Sequence, residues 1–265
     1  MQLRTSESLN ISTLVSIGAH PDSGRARRAM TDSRAVELAM NLANSKLEVI
    51  HAGDPRDPAL GYYSGMGLSQ IRVLAQESNA DAIDTLTEYF TDNMPDILLT
   101  GTRAESGESS GLLPFILAQR LQCPVVTGIA EIIKVEDGIA EVLQALPRGQ
   151  RRALKVTLPF VATVDVAAKA PRQSAFGIAR RAEIDVSNST ANTIDEERIS
   201  WEETPAKPKA KRMKVVKAKT AADRFKAATA KAASSGGQVM KDQPVSEMAK
   251  AVFDLLLEEG VIRQK

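Results

Sequence analysis

The residues best placed to do chemistry form one run, Gly101-Thr102-Arg103-Ala104-Glu105-Ser106-Gly107-Glu108-Ser109-Ser110-Gly111. Its three glycines let the backbone approach a ligand, its Thr102, Ser106, Ser109 and Ser110 supply hydroxyls, and the free N–H groups at the start of a following helix favour a phosphate. A surface loop whose serine caps that helix fits the same composition, so both readings stand. Gly107-Glu108-Ser109-Ser110-Gly111 also matches the G-x-S-x-G pattern of hydrolases, which needs a sharp strand-to-helix turn and a later histidine. Several residues separate Gly101 from Ser109, and both histidines, His20 and His51, precede it, so a hydrolase is disfavoured. Each histidine follows a strand and could reach the same crevice, although a solvated or capped loop histidine is the simpler reading. Neither a Walker A sequence nor a Gly-x-Gly-x-x-Gly after the first strand is present. The lone Cys123 excludes a disulfide framework and a cysteine-based zinc site, and reads as a small core residue. No metal site is expected.

Strand and helix signals alternate around this loop, which lies outside the carboxyl end of a strand, where open parallel sheets bind ligands. Leu14-Val15-Ser16-Ile17, ending in Gly18, and Leu47-Glu48-Val49-Ile50, followed by Gly53, read as strands. Ala29 to Ala43 has helical spacing, with Thr31, Asp32 or Ser33 available as N-cap. Leu68 to Gln76 and Asp81 to Phe90 read as two further helices. Asp96 to Gly101 is the clearest strand, Leu112 to Leu121 an apolar helix, and Pro124 to Thr127 another strand. Ile129 to Val135 and Ile139 to Leu146 bracket Asp137-Gly138, a hairpin-turn signal. Leu154 to Val166 supplies the last strand material. Repeated strand, helix, strand units predict a parallel sheet covered on both faces.

The chain has 265 residues, which allows one or two domains with ample apolar material for a core. The absence of a long apolar span or an apolar leader in MQLRTSESLN reads as a soluble, cytoplasmic protein without membrane insertion. Lys and Arg number 34 against 33 Asp and Glu, but this balance hides a block from Lys207 to Lys231 with ten basic residues and one acid, Asp223. With Phe225 its only aromatic and no nucleic-acid fold beside it, the block reads as a solvated linker or a wrap around a partner, and no nucleic acid is expected. Pro205 and Pro208 break any helix, and Ser234-Ser235-Gly236-Gly237 reads as a flexible joint. Pro244 to Glu259 then forms an amphipathic helix, with Val245, Met248, Val252, Phe253, Leu256 and Leu257 on one side. It must bury that face on the same domain or on a partner. The expected divisions are 1–186 for a nucleotide-binding α/β domain, 187–243 for a basic arm and 244–265 for the terminal helix.

From about Leu14 to Asp185 the layout resembles the beta subunit of electron transfer flavoproteins. The most specific part is Leu158-Pro159-Phe160-Val161-Ala162-Thr163-Val164-Asp165, then Ala170-Pro171-Arg172 and Phe176-Gly177-Ile178-Ala179-Arg180-Arg181-Ala182. Order and spacing follow the family, with Ala170 in place of a glutamate. The resemblance implies an α/β, parallel-sheet, adenine-nucleotide-hydrolase-like (Rossmann-like) domain with a β-hairpin extension and an extended C-terminal arm ending in a helix. It implies a structural AMP, held by Ser16, Ala29, Met30, Thr31, Asp32, Gly53, Gly101, Thr102, Arg103, Ala104, Ser106, Gly107, Glu108, Ser109 and Ser110. It also implies FAD held mainly by an alpha subunit, and a flavin-dependent dehydrogenase partner recognised by Phe176, Ile178, Arg180 and Arg181. From composition alone Phe176 would be a core aromatic. Arg152 stands where the family often has an acidic residue near the flavin. The expected function is electron carriage by a heterodimer, with no catalytic residue required of this chain. A universal-stress-protein-like regulator binding ATP or AMP on the same loop is the alternative.

Overall fold

Strands covered on both faces need apolar residues at successive positions, and two segments meet that demand fully. Ile97–Gly101 (β6) and Phe160–Val164 (β10) are buried along their whole length and pair in parallel at the centre of a nine-stranded sheet. The computed structural model describes residues 8–42, 45–107, 109–189, 191, 193–194, 196–202, 204, 220–222, 240–241, 243–258 and 262. Glu108, the Ser234 to Gly237 joint and all of the basic block except 220–222 lie outside them.

In chain order the elements before β6 are β1 (Leu9–Leu14), β2 (Ile17–Ala19), β3 (Ala26–Arg28), α1 (Met30–Met40), β4 (Ser45–Gly53), α2 (Ala59–Ser64), β5 (Gln70–Ala75) and α3 (Ala82–Asp92). After β6 come α4 (Leu113–Arg120), β7 (Val125–Glu136), β8 (Ile139–Ala145), β9 (Arg151–Thr157), β10, α5 (Phe176–Ala179), β11 (Glu183–Asn188), α6 (Glu196–Ile199) and α7 (Val245–Glu258). The sheet order is β11-β5-β4-β1-β6-β10-β7-β8-β9; all pairs are parallel as far as β7, and β8 and β9 add an antiparallel extension. Because side chains alternate along a strand, Ile97 and Leu99 join Ala35, Leu38 and Ala39 of α1 on one face, while Leu98 meets Phe90 of α3 and Leu117 of α4 on the other. A third cluster packs Leu60 and Tyr63 of α2 on Val49, Ile71 and Val73. The chain divides into two compact units, Met1–Glu203 and Thr204–Lys265. Among the described residues no helix is long and apolar enough to cross a membrane.

The structure departs from the sequence reading in several places. The first strand is Leu9–Leu14 rather than Leu14–Ile17: Ser12 and Thr13 are buried between its apolar residues, so the strand does not show as an apolar run. Leu68 to Gln76 is a strand, β5, not a helix. Its Ile71 and Val73 point inward, while Arg72 lies between two neighbouring strands and pairs with Glu48 of β4 at 2.7 Å and Asp185 of β11 at 2.9 Å. The helix of that region, α2, lies earlier. β7 runs through both expected segments, from Val125 to Glu136, with irregular register against its partners. Leu154 to Val166 holds two strands, β9 and β10, separated by the cis Leu158–Pro159 peptide. The Asp137-Gly138 turn is as expected, with both residues at positive φ, 51° and 74°. None of Thr31, Asp32 and Ser33 caps α1: the N-cap is Ala29, and the other three lie buried within the first turn. Thr31 and Asp32 lie against Gly101 at the end of β6, and Ser33 donates to the Met30 carbonyl at 2.9 Å.

Candidate functional site

β4, β1 and β6 are adjacent, so their carboxyl ends share one edge of the sheet. Chain leaving β1 passes Ser16 and the β2–β3 hairpin before reaching α1, and chain leaving β6 forms the loop to α4. Ser16, the start of α1 and the glycine-rich loop are thereby brought together, as the sequence implied.

Asp32 is the centre of this junction. It is 4% exposed, and its Oδ2 accepts the Ser16 N–H at 2.7 Å and the Ser16 hydroxyl at 2.6 Å. Burial pushes its carboxyl up to about 6; the bonds from Ser16 oppose that rise and the charge of Glu105 adds to it. Gly101 closes on the same group so tightly that an added Cβ would lie 1.9 Å from Asp32 Oδ1 and 2.4 Å from Thr31 Oγ1. Tyr63, buried in α2, was not legible as a site residue. Its hydroxyl accepts the Ala29 N–H at 2.8 Å and donates to the Ser16 carbonyl at 2.8 Å, tying the end of the β1 segment to the start of α1. Glu105 was also missed. Its Oε1 accepts the Met30 N–H at 2.7 Å, and its Oε2 pairs with Arg27 at 2.8 Å.

The rest of the loop is held by its own chain. Ser106 donates to the Ile17 carbonyl at 2.9 Å, and Ser109, at φ 56°, donates to the Ala104 carbonyl at 2.6 Å. The Ser110 hydroxyl accepts the Leu112 N–H at 3.1 Å. Thr102 lies against Gly111, where a Cβ would come within 2.8 Å of its carbonyl oxygen. Ser109 therefore lacks the arrangement of a nucleophile, and both histidines are engaged elsewhere. His51 sits inside β4, buried, with Nδ1 2.9 Å from the Val15 carbonyl, and burial pushes its pKa down. Exposed His20 accepts the Asp22 and Ser23 N–H groups at 3.3 Å. Gly53 ends β4 beside His51, so that a Cβ there would meet Nε2 at 2.6 Å. Half-buried Cys123 packs on the α3–α4 side of the core, and burial raises its thiol pKa.

A hollow of about 260 Å³ opens here, lined by Gly18, Ala26, Asp57, Glu105 and Ser106 among others. A larger one, about 470 Å³, lies at the opposite end of α1, beside Leu38, Ile132, Leu143 and Arg151, and none of the residues above lines it. A phosphate in the smaller hollow would want the N–H groups at the start of α1 and the nearby guanidinium. Those of Met30 and Arg27 are taken by Glu105, and Asp57 faces the same space. The arrangement does not fit a phosphate monoester.

One turn further along α1, Glu37 is 2% exposed and holds the turn that carries the Ala170-Pro171-Arg172 sequence. It accepts from Arg172 Nε at 2.7 Å, from the Arg172 N–H at 3.1 Å and from Asn41 Nδ2 at 2.9 Å, with Lys169 at 3.4 Å. Burial alone would raise its carboxyl, but these bonds and the Arg172 charge outweigh it and hold the pKa down to about 2. The anchored turn continues into α5. There the Ala175 N–H donates to the Gly65 carbonyl at 2.9 Å, and Phe176 projects with 78% of its surface exposed, so it is not a core aromatic. The Arg180 guanidinium lies 5.9 Å from its ring centroid, within cation–π range. Ile178 and Arg181 are exposed beside it. Arg152, on β9, is held across the ladder by Gln144 Oε1 at 2.6 Å.

Asp32 and Glu37 give opposite pH limbs. Asp32 titrates higher folded than unfolded, so its ionisation costs stability as pH rises from about 4 to about 6. Glu37 titrates lower folded, so its contribution is full above about 4.5 and is lost as pH falls towards about 2. Thermal unfolding followed by circular dichroism is expected to show the combined contribution of these two groups at its greatest near pH 4, as a rough value. Asp32→Asn should flatten the upper limb and Glu37→Gln the lower one; unchanged limbs would refute the assignment.

A sequence model of the Electron transfer flavoprotein domain matches residues 23–192. Over 260 residues the chain is 48% identical to the Electron transfer flavoprotein subunit beta of Chromohalobacter salexigens, with 96% of each chain covered. Both matches include β4 to β11, the loop after β6 and the segment that presents Phe176, and the chain belongs to the electron transfer flavoprotein family, on its beta-subunit side.

Proposed function

We propose that this chain is the beta subunit of a heterodimer that accepts electrons from a flavin-dependent dehydrogenase and passes them to a downstream acceptor. It is an electron carrier rather than an enzyme with its own acid, base or nucleophile. FAD, held mainly by an alpha subunit, supplies the redox chemistry when bound, and this chain encloses and positions it. AMP is left out of this reading because Glu105 occupies the start of α1.

The observation that carries the proposal is the projection of Phe176. An exposed aromatic costs solubility unless something covers it, and this one stands on a turn locked by Glu37 and Arg172, with Arg180 and Arg181 around it. A rigid apolar knob with a charged rim suits a pocket on a partner, with Phe176 as the anchor and Ile178, Arg180 and Arg181 as the rim. Co-expression with a candidate alpha subunit should give a yellow complex of equal stoichiometry; a colourless monomer would reject the heterodimer. Within that complex, Phe176→Ala should leave flavin content and melting temperature unchanged and weaken coupling to the dehydrogenase by about 30-fold, the effect of losing a hot-spot residue of about 2 kcal/mol. Electron transfer at the wild-type rate over a range of dehydrogenase concentrations would remove Phe176 from the docking surface.

A further inference from the structure

At the start of α1 the backbone has N–H groups without intrahelical acceptors and a partial positive charge, the combination that draws anions. The loop after β6 answers this with a side chain of its own. Glu105 reaches back so that one oxygen takes the Met30 N–H at 2.7 Å and the other takes Arg27 at 2.8 Å. The Glu105 side chain is 21% accessible, well shielded for a carboxylate. Its seat is shaped for it: Gly18 passes so close that a Cβ there would lie 2.7 Å from Glu105 Oε2. Ser106, the next residue, fastens the loop to the same hairpin through the Ile17 carbonyl at 2.9 Å. Buried Asp32 lies in the first turn of the same helix, carrying charge above about pH 6, and Asp57 lines the hollow alongside Glu105.

We propose that Glu105 is a resident anion which takes the place of a nucleotide phosphate, so that the subunit completes this crevice without AMP and rejects phosphate monoesters there. Three features support this together. The Met30 N–H and the outer nitrogen of the Arg27 guanidinium, two donors that a phosphate would use, are taken by Glu105. The groups left facing the hollow repel a dianion. Gly18 gives the carboxylate room that any larger residue would fill. The inference rests on the family fold and not on which dehydrogenase the complex serves.

The test uses the full chain co-purified with its alpha subunit. Heat-denatured complex is expected to release flavin but little AMP, on the order of a tenth of an equivalent or less, as the site's unfavourable charge requires. Calorimetric titration of the complex with AMP is expected to show Glu105→Ala binding at least about tenfold more tightly than wild type, since it frees both donors and removes the charge. Release of one AMP per wild-type complex, or equal AMP affinity in the two forms, would overturn the proposal. Glu105→Gln keeps the shape and the Met30 hydrogen bond without the charge, and serves if the alanine form does not fold. A gain in AMP affinity in the glutamine form supports the proposal, and no gain overturns it. Flavin content reports on the heterodimer and AMP content on Glu105, so the two readings fail separately.

Discussion

Gly101→Ala is expected to destabilise the protein by about 3 kcal/mol, a large fraction of the stability of an ordinary domain. The added methyl would lie 1.9 Å from Asp32 Oδ1, 2.4 Å from Thr31 Oγ1 and 3.0 Å from the Asp32 nitrogen. None of these atoms is the free end of a flexible chain. Asp32 is pinned by two bonds from Ser16, and its nitrogen belongs to the first turn of α1. Relief therefore requires α1 to lift off β6 or Asp32 to lose Ser16, and either change leaves buried polar groups unpaired. The clash, not backbone strain, is the mechanism. Gly61 provides the contrast: it lies inside α2, nothing stands within 4 Å of its added Cβ, and Gly61→Ala is expected to be neutral or stabilising by about 0.5–1 kcal/mol. Urea unfolding of both variants checks this, and a Gly101→Ala midpoint close to wild type would refute the tight junction.

Arg172→Ala is expected to cost about 2–3 kcal/mol at neutral pH, from the penalty of an unpaired buried carboxylate. Glu37 would lose the guanidinium and keep the backbone N–H of residue 172, Asn41 and the longer contact to Lys169. The figure is set below that of a fully buried pair because Arg172 itself is 41% exposed, so water screens part of the interaction. The loss should shrink as pH falls, beginning above about 4.5, because burial raises the carboxyl of a Glu37 without its guanidinium, and the protonated group no longer needs a cation. Arg172→Lys should recover only part of it, since an ammonium cannot reproduce the forked contact. A pH-independent loss would mean that Arg172 acts through packing alone. Since the same turn leads into α5, the alanine form should also couple more weakly to the dehydrogenase than its remaining folded fraction accounts for.

Local patterns made much of the fold legible. β6 read as a buried strand because a sheet covered on both faces needs apolar residues at every position, whereas β10 was merged with β9 in one stretch of strand material. α3 was legible as a helix from Asp81 to Phe90, and the β7–β8 turn from Asp137-Gly138; the structure adds that Asp81 caps α3, accepting the Ile83 N–H at 2.8 Å. β5 was not legible, because six residues with Ile71, Val73 and Leu74 suit one face of a helix as well as a strand, and only the Glu48 and Asp185 partners on neighbouring strands separate the two. β1 was displaced for a related reason: the burial of Ser12 and Thr13 is a consequence of central position in the sheet. Glu105 and Tyr63 escaped notice as site residues because each acts on a segment far along the chain, Glu105 on Met30 and Tyr63 on Ser16 and Ala29.

What the amino-acid sequence determined alone was the class of fold, the strand and loop that carry the crevice, the family, and the shortage of groups able to act as acid, base or nucleophile. The family rests on the resemblance carried by the motifs from Leu158 to Ala182; the others follow from short-range periodicity, turn chemistry and composition, which a linear chain displays directly. Whether Phe176 lay in the core or in solvent, whether α1's first turn was capped or clamped, and whether the glycine-rich loop was free to receive an anion were decided by tertiary structure. Each depends on which distant side chain arrives first at a given donor or surface. At α1 that side chain is Glu105, and its arrival separates a loop that looks made for phosphate from one whose anion is already its own.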